Sequence, residues 1–578
     1  MGDAKEVTGS PKSVSKQHDS IKLRDRICRA TLSVTSSRDR TEFVPANKFN
    51  ELVTEESIEA EIPDSPRELI EFIYKDAKMV FMTVLDIKEH DNQSELGSMM
   101  QSFRASGFTD KHLPIRNPRD LLAEHDNGHH FPVLPPDTFD HEKWTTDAKV
   151  RFYRSQWTFL APIFTEGKLK HDFPQETMLP FTEISPSVRE GFFSTVSQVK
   201  IHPAHQKVLC KENGKALCFA IKELKYLDHE PGYDPATAWE LEANSLHQIG
   251  KLNDSHLIKP VAAYKIGIRH CFIFEWAEGG TLRDYWKNYR HPVLDKALIL
   301  NVLKQLLGLA KALEVLHTGY GADNHSEDEA RSESHWRHGD LKPDNILRFQ
   351  DLSEVKELGE LRIADLGLAK LHTFRTNARN KPTGTKYLTS HYEPPEAFTL
   401  PNKPRSRLYD LWSMGCVILE FIIWLLYGSD SLDEFVDEKL GKHEHGTIYY
   451  LIEGPDLPSP SARMNEKIAS KWMDDILPVD PDCQPEKTAI GDLLMMVKTK
   501  LLVIKLPDDG SGSLTPSRAS ATDFRTCIDD ILKRATDDEK QLLGNHKSKD
   551  LDLQHSSHQT WLVVRLILSK KLVIYLRM

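Results

Sequence analysis

The ten residues His338-Gly339-Asp340-Leu341-Lys342-Pro343-Asp344-Asn345-Ile346-Leu347 constrain this chain more than any other stretch. They set an aspartate, a lysine two positions later and an asparagine five positions later in one short segment. That spacing suits phosphoryl transfer, where the protein performs little covalent chemistry and works by positioning and by neutralising charge. A carboxylate must orient the attacking hydroxyl, and an ammonium must sit on the travelling phosphate. An amide oxygen and a second carboxylate must hold magnesium. Asp340, Lys342 and Asn345 suit three of these places.

The rest of the chain limits the setting. At 578 residues it exceeds a single core, and two to four domains are expected. A hydrophobic share of 39% with 28% charged residues predicts a soluble protein with ample core. The net charge of -11 argues against a general nucleic-acid binder. Seven cysteines form no C-x-x-C pair, which fits a reducing compartment and neither a zinc site nor a disulfide framework. The opening MGDAKEVTGS has no apolar core of a secretory signal. The longest apolar run, residues 414–427, is short for a bilayer and contains Glu420. The expectation is an intracellular protein, cytoplasmic and/or nuclear, with no membrane span.

Residues 1–60 are polar and weakly patterned, predicting a disordered lead. Ser65-Pro66-Arg67-Glu68 predicts a capping box with proline at the first helical position. Leu69, Ile73, Ala77, Val80, Phe81 and Val84 continue at helical spacing. Residues 61–180 therefore read as a helical accessory region, whose aromatic residues Phe152, Tyr153, Trp157 and Phe159 are expected to pack in a core. His125 and His129 lie four apart beside His130, but Asn127-Gly128 signals a turn between them, so a solvated loop is expected there and no metal site. Strands are predicted over 184–199 and 217–224, a helix over 239–249, strands over 257–268 and 270–276, and long helices over 298–316 and 409–427. Residues 319–336 read as a flexible insertion and 428–486 as added helices. Residues 560–578 are apolar but carry Arg565, Lys570, Lys571 and Arg577, which argues against a span.

Further motifs follow in a fixed order: Phe219-Ala220-Ile221-Lys222 on a strand, Glu242 on the next helix with Glu240 competing, Asp365-Leu366-Gly367, Tyr392-Glu393-Pro394-Pro395-Glu396, and Asp410-Leu411-Trp412-Ser413. With the loop at Asp340, this set resembles the eukaryotic Ser/Thr protein kinases over roughly residues 180 to 535. A narrower likeness, resting on segments such as 156–162, is to long fungal protein kinases with a helical N-terminal extension. The resemblance implies an α+β, bilobal fold with a small antiparallel-sheet lobe and a large helical lobe. The kinase domain would span 181–535, with an N-lobe over 181–276, a C-lobe over 277–535 and a tail over 536–578. It implies ATP and Mg2+ as cofactors and protein substrates with Ser/Thr acceptors, Lys342 favouring those over tyrosine; the oligomeric state stays open.

Roles follow by the same resemblance. Asp340 is the base or hydroxyl-orienting group, Lys342 meets the phosphate, and Thr389 touches both. Lys222 holds the α- and β-phosphates and is itself held by Glu242. Asn345 and Asp365 hold magnesium. Gly191 is the surviving glycine of the phosphate loop, Val196 and Ala220 line the adenine, Glu275 and Ala277 offer backbone groups to its edge, Phe274 backs the pocket and Leu347 floors it. Asp410 would brace the catalytic loop through its amides, and Arg518 would pair with Glu396. Two departures stand out. Arg189 and Ser194 replace loop glycines, which raises the second reading of a catalytically impaired pseudokinase acting as a binding or scaffold module. Gly339 replaces the arginine that would bind an activation-segment phosphate, the non-RD pattern, and predicts activity independent of phosphorylation at Thr383 or Thr385. The Pro-Pro-Glu and Asp-Leu-Trp-Ser signatures argue against a small-molecule kinase.

Overall fold

Polar residues dominate the first sixty positions, yet the apolar ones among them are spaced to fall inside. In the computed structural model, α1 (Leu23–Ala30) buries Leu23 and Ile27. β1 (Leu32–Thr35) then pairs antiparallel with β2 (Arg40–Phe43), Leu32 opposite Phe43. α2 (Phe49–Leu52) and α3 (Glu55–Glu61) follow, and Thr54 caps α3 by accepting from the Ser57 amide at 3.2 Å while Ser57 Oγ accepts from the Thr54 amide at 2.9 Å. The expected disordered lead is thus corrected over residues 22–35 and 40–60. Leu23, Ile27, Val44, Leu52, Val53 and Ile58 join one core cluster with the helices that come next. Few apolar residues suffice because each short element spends nearly all of its own on that core. The structure describes residues 22–35, 40–87, 93–119, 131–191, 193–207, 218–226, 234–319, 336–349, 358–366, 391–401, 403, 405–438, 440, 444–507, 517–538 and 542–543.

The helix expected from Leu69 to Val84 is two helices, α4 (Arg67–Asp76) and α5 (Lys78–Ile87), separated at Ala77 (φ -141, ψ 36). Pro66 is the N-cap residue of α4, with no side-chain cap bond, so the predicted capping box does not form. The break has a long-range cause. Asp110 accepts from the amides of Met79 at 3.1 Å and Val80 at 2.9 Å, satisfying donors that a helix start leaves open. α6 (Gln93–Ser106) and α7 (Thr146–Ser155) complete the cluster. Its centre is aromatic: Phe103, Phe108, Phe139, Trp144 and Phe152 meet at ring distances of 4.8 to 6.3 Å, mostly edge-on or tilted. The expectation that such aromatics pack as core holds for Phe152, Tyr153, Trp157 and Phe159, all buried.

Two compact units divide the chain, one built from residues 1–188, 197–218 and 264–268, the other from 189–196, 219–263 and 269–578. The division does not fall at residue 181, where the sequence places the start of the small lobe. A six-stranded sheet of order β3-β7-β8-β6-β5-β4 takes in β3 (Lys170–Phe173), β4 (Phe181–Glu190), β5 (Ser194–Ile201), β6 (Cys218–Leu224), β7 (Pro260–Ile266) and β8 (Arg269–Glu275). The stretch 184–199, expected as strand, holds two strands, β4 and β5, and β3 lies within the region 61–180 expected to be helical.

In the second unit, β6 pairs antiparallel with β8, Ala220 opposite Phe274 and Lys222 opposite Phe272. α8 (Pro235–Gly250) is capped by Asp234, and α9 (Leu282–Asn288) and α10 (Lys296–Thr318) follow the strands. β9 (Ile346–Phe349) and β10 (Glu360–Ile363) form an antiparallel pair. After the short α11 (Glu396–Thr399) comes α12 (Leu408–Asp437), interrupted at Gly428, whose φ of 78 departs from the helix. The segment 428–486, expected to add helices, holds the end of α12, short helical turns over 469–483 and, unexpectedly, a three-stranded sheet, β11 (His445–Gly446), β12 (Tyr450–Glu453) and β13 (Ser461–Met464). α13 (Ala469–Lys471), α14 (Ala489–Met496) and α15 (Ala521–Asp537) finish the unit, with α15 lying along α10. Among the described residues α12 is the one helix long and apolar enough to cross a membrane, but 89% of its apolar window is buried inside the fold.

Candidate active site

Strand alternation on β6 sends Phe219 and Ile221 into the core, and Lys222 to the opposite face. There its Nζ donates to Glu242 Oε1 at 2.7 Å and to Asp365 Oδ1 at 2.6 Å. Glu242 is 2% exposed, whereas its competitor Glu240 faces solvent, so the helix itself chooses between them. That choice follows from the packed face of α8. Leu246 and Ile249 are buried, and Trp239 donates its indole N–H to the Cys271 carbonyl at 3.1 Å, which fixes the rotation of the helix. Burial alone would push the Lys222 ammonium toward neutrality, but the charges of Asp365 and Glu242 outweigh it and raise its pKa.

The loop at residues 338–347 is held from below by one carboxylate. Asp410, fully buried near the start of α12, accepts from the His338 amide through Oδ2 and from the Gly339 amide through Oδ1, both at 2.8 Å. His317 Nε2 lies 2.8 Å from the same Oδ2. Burial would raise the Asp410 pKa, yet the His317 bond and charge, the His338 charge and the Gly339 amide hold it below its usual value. Gly339 has φ 76, a left-handed backbone that glycine adopts without the steric cost other residues bear.

Within the loop, Asp340 Oδ2 receives Lys342 Nζ at 3.0 Å and Asn345 Nδ2 at 3.2 Å, and the Asp340 carbonyl takes Asn345 Nδ2 at 2.8 Å. Burial raises the Asp340 carboxyl pKa, and the Lys342 charge works against that rise. His338 Nε2 meets the Ala364 carbonyl at 2.7 Å, and the Ala364 amide donates to the Asn345 carbonyl at 2.9 Å. These bonds deliver Asp365 beside the loop. Asp365 itself has φ 62, an uncommon conformation for a residue with a side chain. A carboxylate at Asp365 and an amide at Asn345, whose nitrogen is already committed to Asp340, make a hard oxygen donor set that fits magnesium.

The residues that the resemblance assigns to the nucleotide lie in the β4–β5 turn, on β5, β6, β8 and β9 and on the segment that follows β8. Gly191 closes the β4–β5 turn by donating to the Ser194 carbonyl at 2.8 Å, and Val196 follows on β5. Ala220 faces Phe274 across the β6–β8 pair. After Glu275, whose side chain accepts from Arg362 Nη1 at 3.0 Å, Ala277 is buried and the chain returns to β9. The Gly279 amide donates to the Arg348 carbonyl at 3.1 Å and the Arg348 amide to the Gly280 carbonyl at 2.8 Å, with Thr281 bridging Leu347. Lys222, Glu242, Asp365, Asp340, Lys342 and Asn345 are thus drawn together. Thr389, Gly367, Thr383, Thr385 and the histidines 125, 129 and 130 lie outside the described residues.

Sequence reasoning missed a second hub. Glu420, 1% exposed on α12, accepts from the hydroxyls of Tyr392 and Tyr449 at 2.8 and 2.9 Å and from Arg283 Nη2 at 2.8 Å. It ties the Tyr392–Glu396 segment to α9 and α12. The available signal was an ionisable residue inside an apolar run, which demands partners when buried. The expected Arg518–Glu396 pair is present and bidentate, at 2.6 and 3.0 Å.

With this geometry in view, residues 206–482 match the family model of the protein kinase domain. Over those residues the chain carries a protein kinase domain. The matched range takes in Lys222 through Asp410 and leaves out the β4–β5 turn, where the loop glycines are replaced. Among curated proteins, this chain is 25% identical over 266 residues to a mitogen-activated protein kinase of Caenorhabditis elegans, covering 44% of this chain and 43% of that one. It is 26% identical over 311 residues to a probable serine/threonine-protein kinase of Dictyostelium discoideum, covering 50% and 58%. A serine/threonine-protein kinase of Saccharomyces cerevisiae matches at 26% over 310 residues, covering 52% and 31%. The chain therefore spans between about a third and somewhat over half of the length of these relatives.

Proposed function

We propose that this protein is an active ATP-dependent kinase that transfers the γ-phosphate to Ser/Thr hydroxyls of protein substrates. One observation carries the reading: Lys222, Glu242 and Asp365 on one side, and Asp340, Lys342 and Asn345 on the other, converge through the Ala364 bonds to the catalytic loop. Asp340 orients the acceptor hydroxyl and receives its proton, and its burial-raised pKa suits that task. Lys342, already on Asp340 Oδ2, is placed to follow the phosphate as charge moves toward the acceptor. Lys222 must exchange its bond to Asp365 for the α- and β-phosphates while keeping Glu242. Asp365 and Asn345 would hold magnesium, which when bound would neutralise the phosphate charge. Val196, Ala220 and Leu347 enclose the adenine, and backbone groups at Glu275 and Ala277 read its edge.

Gly339 carries the regulatory part of the proposal, a kinase of the non-RD type. Asp410 orients the catalytic loop through two backbone amides, and no cation at position 339 is needed for that. Changing Thr383 and Thr385 together to Ala is expected to leave activity within about threefold. A loss of several orders of magnitude would sink the regulatory claim. The replaced loop glycines favour the second reading, a nucleotide-impaired scaffold. A thermal-shift titration separates the two: Mg-ATP at about 100 times its Kd should stabilise the protein by about 2.7 kcal/mol, and no shift would favour the scaffold. A peptide array phosphorylated by the intact protein then reads the acceptor residue, with labelling confined to tyrosine contradicting the Ser/Thr assignment.

A further inference from the structure

The turn between β4 and β5 lacks two of the glycines expected of a phosphate loop, yet it is pinned on both sides. Arg189, at the first replaced glycine, is salt-bridged through Nη2 to Asp284 Oδ2 and lies 3.3 Å from Thr281 Oγ1. Lys225, at the end of β6, donates through Nζ to Glu190 Oε1 at 2.8 Å and to the Gly191 carbonyl at 2.7 Å. Its own amide donates to the Phe193 carbonyl at 2.9 Å. Flexibility given up in the glycines is replaced by ionic tethers.

The anchor for Arg189 is stiff before Arg189 arrives. Asp284 is the third residue of α9 and closes a capping box: its Oδ2 accepts from the Thr281 amide at 2.9 Å and the Thr281 hydroxyl at 2.8 Å, while Thr281 Oγ1 accepts from the Asp284 amide at 3.1 Å. Gly280, just before it, has φ 69, and a Cβ there would stand 2.9 Å from Asp284 Oδ2, so the carboxylate is packed against backbone. Thr281 also bridges Leu347, the floor proposed for the adenine. Arg189 thus spans from the strand that roofs the nucleotide cleft to the helix start beside its floor.

We propose that Arg189 and Asp284 form a clasp across the open edge of the nucleotide cleft, making Arg189 a positioning residue that slows nucleotide exchange in place of the missing glycines. The inference rests on the nucleotide-binding reading above. Because the anchor is prebuilt, closing the clasp orders only one long side chain, that of Arg189. Both partners are about two-fifths exposed, so the pair is worth at most about 1 kcal/mol. Its effect belongs on a rate: residence of the nucleotide, with the chemistry left to Asp340.

The test is the dissociation rate of a fluorescent ADP analogue from the full-length protein in magnesium buffer. Arg189→Met keeps the side-chain stem and removes the charge; Asp284→Asn keeps a capping acceptor and removes the charge. Each is expected to speed release roughly two- to fivefold, the double variant no more than either single one, and Arg189→Lys to restore part of the delay. Unchanged release in both single variants, or additive effects in the double variant, would overturn the clasp. Amide hydrogen exchange over 190–195 in the nucleotide-free protein reads the tether directly and should rise in both single variants. Failure of the wild type to bind the analogue would count against the nucleotide reading alone, because the exchange measurement still decides the clasp.

Discussion

The loop around Asp340 and the aromatic cluster around Phe103 are both buried, and they are held by opposite means. At Asp340, positions are set by directed bonds: Asp410 fixes two loop amides, Asn345 and Lys342 fix the carboxylate, and Lys222 joins Glu242 to Asp365. Around Phe103, rings meet edge to face or tilted, and apolar contact holds them together. Directed bonds specify geometry but add little net stability once desolvation is counted. Apolar packing adds stability and tolerates small shifts. The difference teaches that a polar exchange at the site should remove chemistry at little cost to folding, and a truncation in the cluster should do the reverse.

The sharpest way to break that contrast is Asp365→Asn. It removes the proposed magnesium ligand while Lys222 keeps Glu242, so phosphotransfer should fall on the order of a thousandfold, with the unfolding free energy changed by less than about 1 kcal/mol. Large destabilisation would mean that the site also holds the fold. Next comes Phe103→Ala, at a residue with no exposure, expected to cost about 3–5 kcal/mol in denaturant unfolding. Activity per folded molecule should stay within about twofold, and a selective loss of activity would erase the distinction between the regions.

The smallest effect concerns Asp110, the cap of α5. Burial pushes its pKa up to about 6 against the pull of the Val80, Met79 and Lys78 amides. A carboxyl whose folded pKa is raised holds its proton more tightly in the folded state. Its contribution to stability is therefore fully present below about pH 4 and fades as pH rises toward about 6. Thermal melts of the wild type and Asp110→Asn between pH 4 and 7 should show the wild type losing stability relative to the variant across that window. Parallel curves would remove Asp110 as the titrating group.

Legibility followed the same divide. Asp340, Lys342 and Asn345 are readable because phosphotransfer fixes residue type and spacing together, whereas Lys222, Asp365, Asp410 and the Glu396–Arg518 pair are readable through the resemblance to protein kinases. Glu242 was readable only as one of two candidates until the buried face of α8 excluded Glu240. Residues 22–35 and 40–60 read as disordered because their apolar content is low, yet Val44, Val53 and Ile58 are each fully buried in a core shared with helices distant in sequence. The break at Ala77 was invisible because its cause, Asp110, lies over thirty positions downstream. Glu420 likewise shows its purpose only once Tyr392, Tyr449 and Arg283 surround it. Outside the motifs of a known family, interactions set by local spacing can be read from a chain, and partners brought in by tertiary contact cannot.

The central claim is that Asp340 serves phosphotransfer from ATP. Purified wild type and Asp340→Asn, compared for transfer of labelled γ-phosphate to a protein acceptor in Mg-ATP, test it most directly. The account predicts a loss of about 10²–10⁴-fold in the variant, with Mg-ATP binding retained and phosphate found on serine or threonine. Equal transfer by the two proteins, or none by a wild type that binds Mg-ATP normally, would contradict it.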